Sequence, residues 1–163
     1  MTKLESSLLD LLKEDCRLPL EKMAIMTGAT IEEVASTIEE LEKRRVILRD
    51  APVIHWEMTD RERGDAMSEV RVTPQRDMGF DAVAARIYRF DEVKSVYLMS
   101  GGYDLLVLVE ARTLRELAAF VSAKLSTLEL VTGTATSFVL KRYKEEGVVF
   151  TDGESDNRLV ISP

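Results

Sequence analysis

The sequence predicts an α+β fold in two parts: a winged helix-turn-helix over residues 1–58, then a ferredoxin-like βαββαβ unit over 66–146. Three observations predict it. Apolar residues recur at helical spacing in the first forty or so positions, strand-like alternation sets in after residue 66, and the charged stretch Asp60-Arg61-Glu62-Arg63-Gly64-Asp65 between them has no apolar period. A linker is therefore placed at 59–65, and a C-terminal tail of mixed composition at 147–163.

Leu4, Leu8, Leu9, Leu11 and Leu12 predict an amphipathic first helix over 4–14, broken at Asp15-Cys16-Arg17. Pro19 suits a first helical turn, Leu20, Met23, Ala24 and Met26 continue a second helix, and Gly28 stops it. Thr30 with Glu33 three residues later reads as a capping box. It opens a third helix with Ile31, Val34, Ile38 and Leu41 inward. Val46-Ile47-Leu48 and Val53-Ile54-His55-Trp56, separated by Asp50-Ala51-Pro52, read as the two strands of a wing. The pair His55-Trp56 is expected to pack that wing against the first helices. A haem or metal role for it would need further ligands, which this sequence does not present. Met23, Met26 and Met99 are read as core filler.

In the second part, strands are expected at 66–73, 93–100, 105–111 and 134–143, and helices at 82–90 and 114–128. The segment 158–161 could add a further strand in an oligomer.

The 163 residues suffice for two small domains, and 45% hydrophobic with 31% charged residues is a globular composition. A module of about 55 residues is marginal alone and gains from association. No apolar run approaches the ~20 residues of a membrane span and no secretory leader is visible, so a cytoplasmic protein without a membrane partner is expected. Cys16, the only cysteine, can form no internal disulfide. The net charge of −7 argues against a protein that coats nucleic acid generically. No nucleophile elbow, phosphate-binding glycine loop, metal-ligand spacing or paired-carboxylate signature is present, so no cofactor, metal or enzymatic activity is expected.

Three segments carry a family resemblance. "LLDLLKEDCRLPLEKMAIMTGATIEEVASTIEELEKRRVI" resembles the opening of the Lrp/AsnC, or feast/famine, regulators. "VYLMSGGYDLLVLVEA" is similar to their second and third sheet strands with the glycine-containing turn, and "GTATSFVLKRYK" resembles their last strand. The resemblance implies a DNA-binding transcription regulator. Its C-terminal domain, the type called RAM for regulation of amino-acid metabolism, would bind an amino acid or related metabolite and assemble as a homodimer or further into tetramers or octamers.

Thr30, Ser36 and Thr37 are then the third-helix residues expected to face operator DNA, with Lys43, Arg44, Arg45 and Arg49 as phosphate contacts at its end and in the wing. The sequence departs from the family here. Ser36 and Thr37 stand where relatives commonly carry arginines, Glu32, Glu33, Glu39 and Glu40 crowd the exposed face, and residues 1–60 hold eight basic against thirteen acidic side chains.

The turn Ser100-Gly101-Gly102-Tyr103-Asp104 is read both as a tight hairpin, its glycines supplying positive φ, and as an effector site. Bare glycine backbone would admit a ligand carboxylate, Asp104 could pair with an ammonium, and Thr134, Thr136 and Ser137 would offer hydroxyls. Two other readings stay open. One is a metabolite-binding oligomer with weakened DNA binding that acts through protein partners. The other is an enzyme like the sirohaem decarboxylases, which look similar in architecture, although the second part contains no histidine to serve such a site.

Overall fold

The structure, a computed structural model, describes residues 1–73 and 79–150. The chain divides into two compact units, Met1–Ile54 and His55–Pro163.

The first unit holds α1 (Lys3–Glu14), α2 (Leu20–Thr27) and α3 (Ile31–Lys43). Thr2 caps α1 in a reciprocal capping box with Glu5, and Thr30 does the same for α3 with Glu33. Both satisfy amide groups that a helix start leaves orphaned. Gly28 ends α2 in the left-handed conformation at φ 71°, its N–H bonded to the Ala24 carbonyl, a geometry that disfavours any residue with a Cβ. Leu8, Met23, Ala24 and Val34 form the core, with Leu4, Leu11, Leu12 and Ile38 packed around them. Met26, expected inside, is 62% exposed. The inward face of α2 runs through Met23, Ala24 and half-buried Thr27 instead.

The two wing strands do not form. Val46 and Ile47 turn their N–H groups back onto the Leu41 carbonyl and so finish α3, after Arg45 adopts φ 59°. Residues 48–55 pair with nothing as a ladder. Leu48 is 75% exposed, and Pro52 lacks a donor, so this hairpin has neither a buried apolar face nor a full set of bonds to hold it. Nor does the His55-Trp56 pair form a strand. His55 lies against Phe150, ring centroids 4.9 Å apart and planes tilted by 50°, and Trp56 opens a 3-10 turn, Trp56–Met58, beneath Arg61 and Arg63.

The second unit is a four-stranded antiparallel sheet with order β2-β3-β1-β4. Its elements are β1 (Gly64–Val72), α4 (Phe80–Ile87), β2 (Val93–Leu98), β3 (Leu105–Ala111), α5 (Leu114–Phe120) and β4 (Val131–Phe138). This is the ferredoxin-like βαββαβ arrangement. β1 starts at Gly64, inside the segment read as linker. Strict alternation along it turns Ala66, Ser68, Val70 and Val72 to the buried side, where Val83, Ile87, Leu117, Phe120 and Leu125 of the helical layer meet them. Met67, Glu69 and Arg71 face the open side.

The second helix is not one α-helix to residue 128. α5 passes into a π-turn over Val121–Leu125, marked by the Ser126 N–H bonding to the Val121 carbonyl five residues back. β4 ends at Phe138 rather than Tyr143 because Phe138 already pairs with Ala66 near the start of β1. The Val139 N–H to the Asp65 carbonyl is the last bond available. The chain then forms a two-stranded hairpin, β5 (Lys144–Glu145) and β6 (Val148–Val149), about Glu146 and Gly147, which both have positive φ as a tight hairpin requires. The strand expected at 158–161 lies outside the described residues.

Candidate functional site

α2, the Gly28 turn and α3 make a helix-turn-helix whose exposed α3 face carries Ile31, Glu32, Glu33, Ser36, Glu39, Glu40 and Lys43. The three hydroxyl residues expected at DNA are all tied to the helix itself. Thr30 accepts the Glu33 N–H, while Ser36 and Thr37 donate to the Glu33 carbonyl at 3.1 and 2.6 Å. With their protons engaged, Ser36 and Thr37 present only lone pairs outward.

The four basic residues divide in two. Lys43 Nζ lies 2.7 Å from the Glu39 carboxylate, one turn back. This contact pushes the Lys43 pKa up and holds that of Glu39 down. Arg44 is ion-paired with Glu5 of α1. The Thr2 backbone bond first, and the Arg44 bond second, hold the Glu5 carboxyl below its ordinary value. Among the described residues Arg45 and Arg49 have no ion pair, and both are exposed. Glu5 was not singled out in the sequence. Its signal was the Thr2-x-x-Glu5 capping box, which places a carboxylate at the start of α1.

The turn expected to hold an effector is anchored rather than loose. The Met99 N–H bonds to the Asp104 carbonyl (2.8 Å), the Asp104 N–H to the Val70 carbonyl (3.0 Å), and Asp104 Oδ2 accepts the Val72 N–H (2.8 Å). Asp104 thus joins the end of β1 to the β2–β3 connection, and among the described residues its Oδ1 has no partner. Gly101 and Gly102 do not use positive φ, contrary to expectation, because six residues (99–104) join β2 to β3 and no two-residue primed turn is needed. A Cβ at either would meet nothing within 4 Å, so the ground beside them is open.

Thr134 is level with the turn, since Val70 pairs with both Thr134 and Leu105. It stands two strands away, roughly 10 Å. Its hydroxyl bonds Ser126 at 2.9 Å on the helical side. Thr136, farther along β4, bonds the buried Ser68 hydroxyl at 2.8 Å, also on the helical side, whereas Ser137 pairs with Met67 on the open face. One chain therefore does not gather Thr134, Thr136 and Ser137 around Asp104. A half-buried charge cluster had no sequence signal at all. Arg63 pairs with Asp65 (3.1 Å) and Glu110 (3.0 Å), and Arg142 reaches back to Asp65 (2.6 Å) across 77 positions.

Comparison with known proteins agrees with both units. Residues 65–149 match the model of the Lrp/AsnC ligand binding domain. Over the whole chain, the sequence is 48% identical to the uncharacterized HTH-type transcriptional regulator YugG of Bacillus subtilis, covering 99% of that protein. The fold superimposes on the Mycobacterium tuberculosis leucine response regulatory protein with a TM-score of 0.75 at 22% identity, over 90% of this chain and 97% of that one. For a Neisseria meningitidis transcriptional regulator solved in complex with L-Met, the TM-score is 0.71 at 21% identity, with 89% and 93% covered. With a helix-turn-helix in its first unit and the ligand-binding domain in its second, the chain belongs to the Lrp/AsnC family of HTH-type transcriptional regulators.

Proposed function

We propose that this regulator works in the cytoplasm as a homo-oligomer that binds operator DNA through α3 and answers to an amino acid held at the Ser100–Asp104 turn. The observation that carries the reading is the anchored turn. Asp104 fixes the loop yet retains one carboxylate oxygen for an ammonium, beside glycine backbone open to a carboxylate. The Neisseria structure, solved with L-Met, supports an amino acid as the effector class. Pairing of two copies is supported by the open sheet face, where Met67, Leu106, Leu108 and Tyr97 lie together and no helix covers them. No helix among the described residues is long and apolar enough to cross a membrane.

The test is a gel-shift titration on the DNA upstream of the protein's own gene, with and without each amino acid. The expected result is a salt-sensitive, sequence-preferring complex whose midpoint one amino acid moves severalfold. Absence of any such complex, with or without amino acids, overturns the reading.

The neutralised Lys43 and Arg44, together with the acidic face of α3, favour one second reading: an oligomer with weak DNA affinity that acts through protein partners. Replacing Glu32 and Glu39 by Lys then creates DNA binding that the parent lacks. Tight parental binding excludes it.

A further inference from the structure

We propose a second small-molecule site in the C-terminal unit, taking an α-amino acid with a large apolar side chain, in the cavity beside Trp56. The cavity measures about 610 Å³ and is walled by Trp56, Arg61, Glu62, Ala111, Arg112 and Thr113. That size lies within the roughly 300–1,000 Å³ of ordinary ligand pockets. It is also far from the Asp104 turn. Ala111 pairs with Gly64 at the first residue of β1, six positions along β3 from Leu105, or roughly 20 Å at ~3.4 Å per residue.

Its apolar wall is the Trp56 ring. The Arg63 guanidinium lies 5.2 Å from the Trp56 ring centre and is itself fixed by Asp65 and Glu110, with Arg142 bracing Asp65 from beyond. Arg61 sits 5.8 Å from the same ring. The charges around the cavity are then separable by whether they already have partners. Arg63 is matched by two carboxylates and Arg112 by Glu116 at 3.3 Å. Among the described residues, Arg61 has no carboxylate partner and Glu62 no cationic one.

An indole face, one available guanidinium and one available carboxylate are what an apolar side chain, a carboxylate and an ammonium on a single small molecule require. A ligand bearing one charge would leave the other side chain unmatched.

Trp56 is the only tryptophan of the chain, so its emission reports this cavity directly. L-phenylalanine titrated into the full-length protein should change that emission saturably. Arg61→Gln, at an exposed position, should weaken the response about tenfold with an unchanged circular dichroism spectrum. Asp104→Asn should leave it in place, which separates this site from the turn. Phenethylamine and 3-phenylpropionate, each carrying one of the two charges, should each bind about tenfold more weakly than phenylalanine. Calorimetry on the parent and on Trp56→Ala should lose one site in the variant. The proposal is overturned by calorimetry that finds no site dependent on Trp56. It is equally overturned by an emission change that survives Arg61→Gln and vanishes in Asp104→Asn, or by 3-phenylpropionate binding as tightly as phenylalanine.

Discussion

The Arg44 guanidinium, at the C-terminal cap of α3, donates to the carboxylate of Glu5 in the first turn of α1. The one contact closes the three-helix unit on itself and withdraws a cation from the end of the helix expected to lie on DNA. Glu5→Gln separates these effects, because Gln still reaches back to the N-cap amide while losing the charge that holds Arg44. DNA affinity at low salt should rise about fivefold, as one more cation becomes available to phosphate. Fluorescence anisotropy against a labelled operator checks it, and unchanged affinity shows that Arg44 stays off the DNA.

The same carboxylate makes the helical unit acid-sensitive. Its pKa in the folded state is held below the ordinary 4.5 by the Thr2 backbone bond and by Arg44. A depressed carboxyl contributes stability that is complete above its unfolded pKa and is lost as pH falls through the folded one. Denaturant midpoints of the parent should therefore fall below about pH 4.5, and those of Glu5→Gln should fall less over the same range.

Among the described residues, Arg45 and Arg49 have no ion pair to break, unlike Lys43 and Arg44. If phosphates are contacted from this end of α3, these two contribute most readily. Arg45→Ala and Arg49→Ala should each lower the slope of log K against log salt by about one. Lys43→Ala should change it less, since Glu39 already screens that ammonium. Equal slopes for all three variants would show that the Glu39 pair opens without cost on DNA.

What could be read from the sequence follows from how local the cause is. The Thr30–Glu33 capping box, the Gly28 stop and the alternation of β1 depend on neighbours within four residues; the first two stand where the pattern placed them, and so does the alternation from Ala66 onward, although the strand itself begins earlier, at Gly64. The wing failed because a short apolar run cannot say whether a partner will pair with it. Val46 and Ile47 found the Leu41 carbonyl closer to hand. The end of β4 was set by where β1 begins, some seventy residues earlier, and the Arg142–Asp65 pair is equally remote. In the Ser100-Gly101-Gly102-Tyr103-Asp104 turn, residue types were legible but duties were not. Asp104 has a structural bond as well as a free oxygen, and Thr134 and Thr136 face the helices rather than the turn.

Ser68 is fully buried, and its hydroxyl has Thr136 as partner at 2.8 Å. Ser68→Ala alone strands a half-buried hydroxyl and should cost about 1–3 kcal/mol in denaturant unfolding. Joining it to Thr136→Val removes both polar groups from the helical side of the sheet. The double variant should recover most of that loss, and a double-mutant cycle measures the coupling. Additive losses would mean that each hydroxyl has a second partner.

At the turn, substitution distinguishes the anchor from the proposed ligand contact. Asp104→Asn keeps an oxygen able to accept the Val72 N–H but removes the charge that would hold an ammonium. Asp104→Ala removes both, leaving the Val72 amide unmatched at a cost of about 1–3 kcal/mol if water does not replace the bond. The Asn variant should therefore melt within a few degrees of the parent, while the amino acid that moves the DNA-binding midpoint loses its effect by tenfold or more, about 1.4 kcal/mol. The Ala variant should lose both stability and response. An Asn variant that still answers to the amino acid at parental concentration confines Asp104 to its structural bond, and the ammonium must then be held elsewhere.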